Sequence, residues 1–149
     1  MNIERIIISR TDSIGDVLLT LPICNWIKQQ YPNAHIIFLG KNYTLPILNA
    51  YKAIDEVCDW AAFEELPTVQ RLSKFRSLNA DAIIHVFPNK EIANLAKKVK
   101  IAHRIGTSHR SFHLLTCNHK VSFTRKRSDK HESQLNFELL RPLGLKEIP

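Results

Sequence analysis

Two carboxylates, Asp12 and Asp16, stand four residues apart in the polar stretch Ser9-Arg10-Thr11-Asp12-Ser13-Ile14-Gly15-Asp16. A carboxylate facing a cleft can take the proton of a hydroxyl, which is general-base chemistry. Whether either is placed to do so depends on the flanks. Ahead of them, Arg5-Ile6-Ile7-Ile8 reads as a buried strand. Behind them, Ile14, Val17, Leu18, Leu21 and Cys24 recur three or four apart, the buried stripe of a helix. A strand that turns tightly into a helix leaves the first helical N–H groups unpaired and aimed over the loop. In an open α/β sheet, ligands bind at that carboxyl end. The same residues also fit a plain structural purpose. Asp12 or Ser13 suits an N-cap, and Asp16 suits the positive end of the helix dipole. That dipole stabilises a carboxylate and so weakens it as a base.

The elements that must hold this turn follow in order. The first helix is expected from Ile14 to Gln30, kinked at Pro22 and ended by Tyr31-Pro32-Asn33. A second strand covers 34–39 and closes at Gly40, completing a βαβ unit with parallel strands and a right-handed crossover. A short helix over 43–51, a weak strand over 56–60 and a helix over 67–78 come next. The run Ala82-Ile83-Ile84-His85-Val86-Phe87 is a strong fourth strand, stopped by Pro88. Asn89 is the expected N-cap of a helix that turns Ile92, Leu95, Ala96 and Val99 inward. A short fifth strand covers 102–105, and 121–123 forms a sixth, with the rest of 107–129 read as loop. A last helix over 130–143 carries Leu135, Leu139 and Leu143 on one face, with Gly144 as its C′ residue. Alternating strands and helices predict an α/β fold, a Rossmann-like doubly wound parallel sheet of five or six strands, in one domain over 1–149.

Charge is concentrated. The formal net charge is +7, and residues 97–130 alone carry ten Lys or Arg against one acid, Asp129. Four of the seven histidines, His103, His109, His113 and His119, fall in the same stretch. Such one-sidedness implies an anionic partner: nucleic acid, a phosphorylated glycolipid or membrane headgroups. Three well-separated cysteines, Cys24, Cys58 and Cys117, read as reduced thiols in a cytoplasmic protein. No run is apolar for the roughly 20 residues that span a bilayer. The four glycines form neither GxGxxG nor a Walker loop, and there is no GxSxG elbow or metal-ligand spacing.

The run Arg10-Thr11-Asp12-Ser13-Ile14-Gly15-Asp16-Val17-Leu18-Leu19-Thr20-Leu21-Pro22 resembles the opening motif of glycosyltransferase family 9, the lipopolysaccharide heptosyltransferases. Weaker likenesses follow at Tyr31-Pro32-Asn33-Ala34, Phe87-Pro88-Asn89, His103-Arg104-Ile105-Gly106-Thr107 and in the last helix, from His131-Glu132 to Leu139-Leu140-Arg141-Pro142-Leu143-Gly144. The resemblance implies a GT-B enzyme whose N-terminal domain holds the acceptor and whose C-terminal domain holds the nucleotide sugar. The sequence stops at Pro149, where the linker between them is expected, so it implies the acceptor-binding half alone and no turnover by it.

By the same resemblance, the reaction is an inverting, metal-independent transfer of heptose from ADP-heptose, a substrate, with no cofactor. The catalytic base falls on Asp16. Acceptor contacts fall on Thr11, Asp12, Ser13, Gly15, Asn89, Arg104, Thr107, His109 and Arg110. The implied acceptor is an anionic inner-core glycolipid at the cytoplasmic face of a Gram-negative inner membrane. The cluster Arg125-Lys126-Arg127 is expected to face membrane or solvent. Two other readings stay open at this level. One is a non-catalytic glycolipid-binding domain. The other is a basic nucleic-acid-binding module, disfavoured because only Phe112 and Phe123 offer stacking in the basic stretch.

Overall fold

The structure is a computed structural model that describes residues 2–122 and 132–148. Six strands form one parallel sheet: β1 Arg5–Ser9, β2 His35–Gly40, β3 Glu56–Asp59, β4 Ala82–His85, β5 His103–Thr107 and β6 His119–Val121. Their order is β3-β2-β1-β4-β5-β6, so the chain reverses direction across the sheet between β1 and β4. That reversal opens a crevice at the carboxyl ends of those two strands.

Both faces of the sheet are covered, which is why the strands are apolar on both sides. Ile6, Ile8, Ile36, Phe38 and Ile84 pack on α1 (Ile14–Gln30) and on the segment that follows α7 (Glu132–Glu138). Ile7, Ile37, Leu39 and Ile83 pack on α3 (Trp60–Glu64), α4 (Thr68–Arg76) and α5 (Lys90–Lys98). Each fully buried isoleucine contributes about 2–3 kcal/mol. The edge strands β3 and β6 are only half-buried and carry Glu56 and Lys120, charges that discourage edge-to-edge pairing.

Several expectations need correction. Ile14 and Leu18 are 40% and 47% exposed. The buried face of α1 is centred on Val17, Thr20, Cys24 and Ile27, so these two lie past its edge. Val69, which recurs at helical spacing with Leu72 and Phe75, is also exposed. Trp60 starts a helix instead of ending a strand, because Asp59 caps it by accepting from the Ala61 N–H at 3.0 Å. The fourth strand ends at His85, since Val86 and Phe87 both donate to the Ser9 carbonyl and turn the chain. β5 runs on to Thr107, and the expected loop holds α6 (Ser111–Thr116) and β6. Phe123, Arg125-Lys126-Arg127 and His131 lie outside the described residues. The last helix ends at Glu138; Leu143 belongs to a 3₁₀ turn over Arg141–Leu143, closed by Gly144 at φ 110°.

Candidate functional site

The crevice is built from the β1–α1 turn on one side and the β4–α5 turn on the other. Arg10 continues β1 by one backbone bond to the Leu39 carbonyl, 3.1 Å. Its side chain then folds back beneath the turn and is 4% exposed. Nε donates to Asp12 Oδ1 at 2.9 Å and Nη2 to Asp12 Oδ2 at 3.2 Å, a bidentate pair. Nη2 also lies 3.5 Å from Asp16 Oδ1. Nη1 donates to Thr20 Oγ1 at 3.3 Å and to Asn136 Oδ1 at 3.2 Å. Asn136, fully buried on α7, returns its amide N–H to the Leu19 carbonyl and to Thr20 Oγ1. One buried guanidinium therefore ties the loop to α1 and to the far end of the chain. Neither Arg10 nor Asn136 was singled out from the sequence. Arg10 sat in the motif, but its burial could not be read there; Asn136 carried no local signal.

Asp16 lies in the first turn of α1, with its side chain 40% exposed. Ser13 occupies the N-cap position, but its hydroxyl donates to Asp16 Oδ2 at 2.7 Å instead of capping a backbone N–H. Asp12 does not cap the helix either. Its carboxylate is spent on Arg10, and its carbonyl accepts from Tyr43 Oη at 2.7 Å. Burial raises the Asp12 carboxyl above its usual range, and the Arg10 hydrogen bond and charge only partly oppose this.

Asp16 opens into a cleft of about 250 Å³ shared with Arg10, Asp12, Val86, Phe87, Pro88 and Arg110. Across Phe87 lies a second hollow of about 210 Å³, lined by Thr11, Asp12, Lys41, Trp60, Glu64 and Asn89 among others. The two share Asp12 and Phe87, making a groove along the ends of β1 and β4. The Asp16 carboxylate and the Arg110 guanidinium thus line one space.

The remaining sequence-predicted site residues divide. Thr11 is buried at the rim of the second hollow. Gly15 is exposed, with nothing within 4 Å of where a Cβ would stand. Asn89 lines the groove, but its Oδ1 caps α5 by accepting from the Ile92 N–H. Arg110 reaches the cleft, and His109 beside it bonds Ser122 at 3.4 Å. Thr107 is buried, and its hydroxyl holds the His109 N–H. Arg104 lies within a strand and not in a turn over the crevice. It is the second residue of β5, and its guanidinium donates to the carbonyls of Thr116 and Ile101. It braces a loop at the amino end of the sheet, away from the crevice.

The chain matches no protein-family profile. It is 30% identical over 146 residues to lipopolysaccharide heptosyltransferase 3 of Escherichia coli, covering 90% of this chain and 41% of that protein. It is 27% identical over 139 residues to a Haemophilus influenzae protein provisionally named a glycosyltransferase, covering 93% of this chain and 40% of the relative. Among solved structures, a glycosyltransferase family 9 protein of Veillonella parvula superposes with a TM-score of 0.72 at 23% identity, over 97% of this chain and 42% of that one. Escherichia coli heptosyltransferase WaaC with ADP-2-deoxy-2-fluoro heptose superposes with a TM-score of 0.70 at 18% identity, over 95% and 49%. The chain thus resembles glycosyltransferases and heptosyltransferases in sequence and shares the fold of the family 9 structures. It spans two-fifths to one-half of the length of these relatives. The six-stranded parallel sheet is the Rossmann-like layer that the chain shares with these neighbours. Among its described residues, no helix is long and apolar enough to cross a membrane.

Proposed function

We propose that this chain is the acceptor-binding half of an inverting family 9 glycosyltransferase, one that moves heptose from ADP-heptose to a lipopolysaccharide inner-core hydroxyl. The observation that carries the reading is Asp16: a carboxylate at the switch-point crevice, oriented by Ser13 and Arg10, opposite the exposed Arg110. The similarity to lipopolysaccharide heptosyltransferase 3 supports the substrate class.

In this mechanism the acceptor hydroxyl gives its proton to the Asp16 carboxylate as its oxygen attacks the anomeric carbon. The bond from that carbon to the diphosphate breaks, the electron pair leaves with ADP, and the configuration inverts. Ser13 and Arg10 fix the carboxylate so that a lone pair meets the incoming hydroxyl. Arg110 is placed to pair with an anionic group of the acceptor. The nucleotide sugar is assigned to the part of such enzymes that this chain does not span.

The test joins residues 1–149 to the nucleotide-binding domain of a family 9 enzyme and measures transfer from ADP-heptose. Asp16→Asn should lower kcat by roughly 10²–10⁴-fold with an unchanged circular dichroism spectrum. Asn preserves the size of the side chain and an acceptor for Ser13, but cannot take the proton. Full turnover by Asp16→Asn ends its role as base.

A further inference from the structure

Asn136 is a polar residue in an apolar place. It lies on α7 between the buried side chains of Leu135 and Phe137 and is itself 0% exposed. Burying an amide costs stability unless its donors and acceptor find partners, and an apolar residue of similar volume would serve packing alone. Asn136 directs both ends of its amide at the β1–α1 unit. Its Oδ1 accepts from Arg10 Nη1 at 3.2 Å, and its Nδ2 donates to the Leu19 carbonyl at 3.2 Å and to Thr20 Oγ1 at 3.4 Å.

From there two routes lead to Asp16. The first runs through the side chain of Arg10. A guanidinium is a rigid planar fork, so fixing Nη1 also fixes Nη2, which lies 3.5 Å from Asp16 Oδ1. The second runs through Thr20, whose hydroxyl accepts from Arg10 Nη1 at 3.3 Å and donates to the Asp16 carbonyl at 2.9 Å. One route holds the carboxylate and the other holds the main chain beneath it, and Asn136 bonds to the middle member of both. We infer that Asn136 is a positioning residue for Asp16. It does not line the cleft, and it acts through Arg10 and Thr20 on where the carboxylate stands. This inference rests on the reading of Asp16 as the base.

The experiment uses the joined two-domain enzyme and two variants that divide the amide. Asn136→Ala removes both ends. Asn136→Asp keeps an oxygen for Arg10 Nη1 and removes the N–H groups given to Leu19 and Thr20. Both should lower the urea midpoint, so turnover is compared under conditions where circular dichroism shows each variant fully folded. Asn136→Ala should lower kcat by roughly 10–10²-fold, the loss expected when a remote change misplaces a reacting group, with the acceptor KM changed less than about threefold. Asn136→Asp should keep kcat within about threefold of the parent. A purely structural residue would give losses that follow stability in both variants. A second readout needs no turnover. In the 149-residue chain without substrate, Asn136→Ala should move the backbone amide resonances of Ser13 and Asp16, and Asn136→Asp should move them less. Full kcat in Asn136→Ala, equal kcat losses in the two variants, or unmoved amides overturn the inference. Loss of transfer in Asp16→Asn alongside full kcat in Asn136→Ala ends this inference and leaves the base reading standing. Full turnover in Asp16→Asn ends the base reading, and the amide resonances then decide by themselves whether Asn136 holds the turn.

Discussion

Arg10 and Asp12 show how much of this site is held by a single buried cation. The guanidinium makes two bonds to Asp12 and approaches Asp16, while Thr20 and Asn136 hold its other end. Removing one partner of a buried pair leaves an uncompensated charge, so Arg10→Leu should cost about 3–5 kcal/mol in urea denaturation. Asp12→Asn keeps one acceptor for Arg10 and should cost about 1–3 kcal/mol. Asn136→Ala removes one acceptor of Arg10 and should cost about 1–2 kcal/mol. The contrast with Asp16 is the informative part. Asp16→Asn is expected to leave stability nearly unchanged and to act on turnover, whereas Asp12→Asn acts first on stability. Equal losses of turnover in both variants, at equal folded fraction, would mean that the whole turn acts as one unit.

At the scale of elements, the junction of β4, β5 and α6 carries a pH-sensitive seam. His85 and His113 stack at 5.2 Å between ring centroids. Neither ring nitrogen of His85 has a hydrogen-bond partner among the described residues, nor has Nε2 of His113. Burial pushes His85 down to about 3, with the charges of His113 and Arg104 adding to the shift. Burial lowers His113 as well, partly opposed by its bond to the Thr107 carbonyl. Both imidazoles are therefore neutral in the fold, and the unfolded chain binds the extra protons. For His85, stability is fully present above about pH 6.5 and is lost as pH falls toward 3, by up to about 1.4 kcal/mol per pH unit, and His113 adds a loss in the same direction. His85→Leu should flatten that acid limb and cost little at pH 7, because no protein hydrogen bond is lost. An acid limb as steep as in the parent would place the titration elsewhere. Gly106 belongs to the same seam. A Cβ there would stand 2.6 Å from His113 Nδ1 and 2.8 Å from Cys117 Sγ. Gly106→Ala should therefore displace α6 and cost about 1–3 kcal/mol, seen as a lower urea midpoint with an unchanged slope.

At the scale of the molecule, the proposed division of labour puts base and acceptor contacts on this chain and the nucleotide sugar elsewhere. Residues 1–149 alone are then expected to release no ADP and transfer no sugar from ADP-heptose, in an assay where the joined two-domain enzyme does both. Turnover by the 149 residues alone would overturn that division. The charge distribution belongs to this scale too. The stretch 97–130 carries +9 while the remainder carries 11 basic and 13 acidic residues, so the field is one-sided. Association with anionic surfaces should accordingly slow as salt rises.

The order of strands and helices was legible in the chain itself, because parallel strands buried on both faces are continuous runs of Ile, Val and Phe, bounded by Pro, Gly and Asn. Ile6 to Ile8 and Ala82 to Ile84 could hardly be anything else. The site's location was legible for the same reason: the motif from Arg10 to Pro22 lies between a strand and a helix, and the carboxyl end of that strand is where the sheet opens. Short edge elements were not legible. α6 and β6 sit in a basic stretch of weak periodicity, and they form because β5 offers an unpaired edge and α5 a flank to pack on. Nor could one-dimensional spacing separate Asp12 from Asp16. Both are acids near a helix start, one suited to its N-cap and the other to its dipole. Only the tertiary fold brings Asn136 beneath Arg10 from 126 residues away, and that anchoring turns the guanidinium onto Asp12 and leaves Asp16 facing the cleft. Burial and long-range partners give two identical side chains different surroundings, and neither exists until the sheet has closed around them.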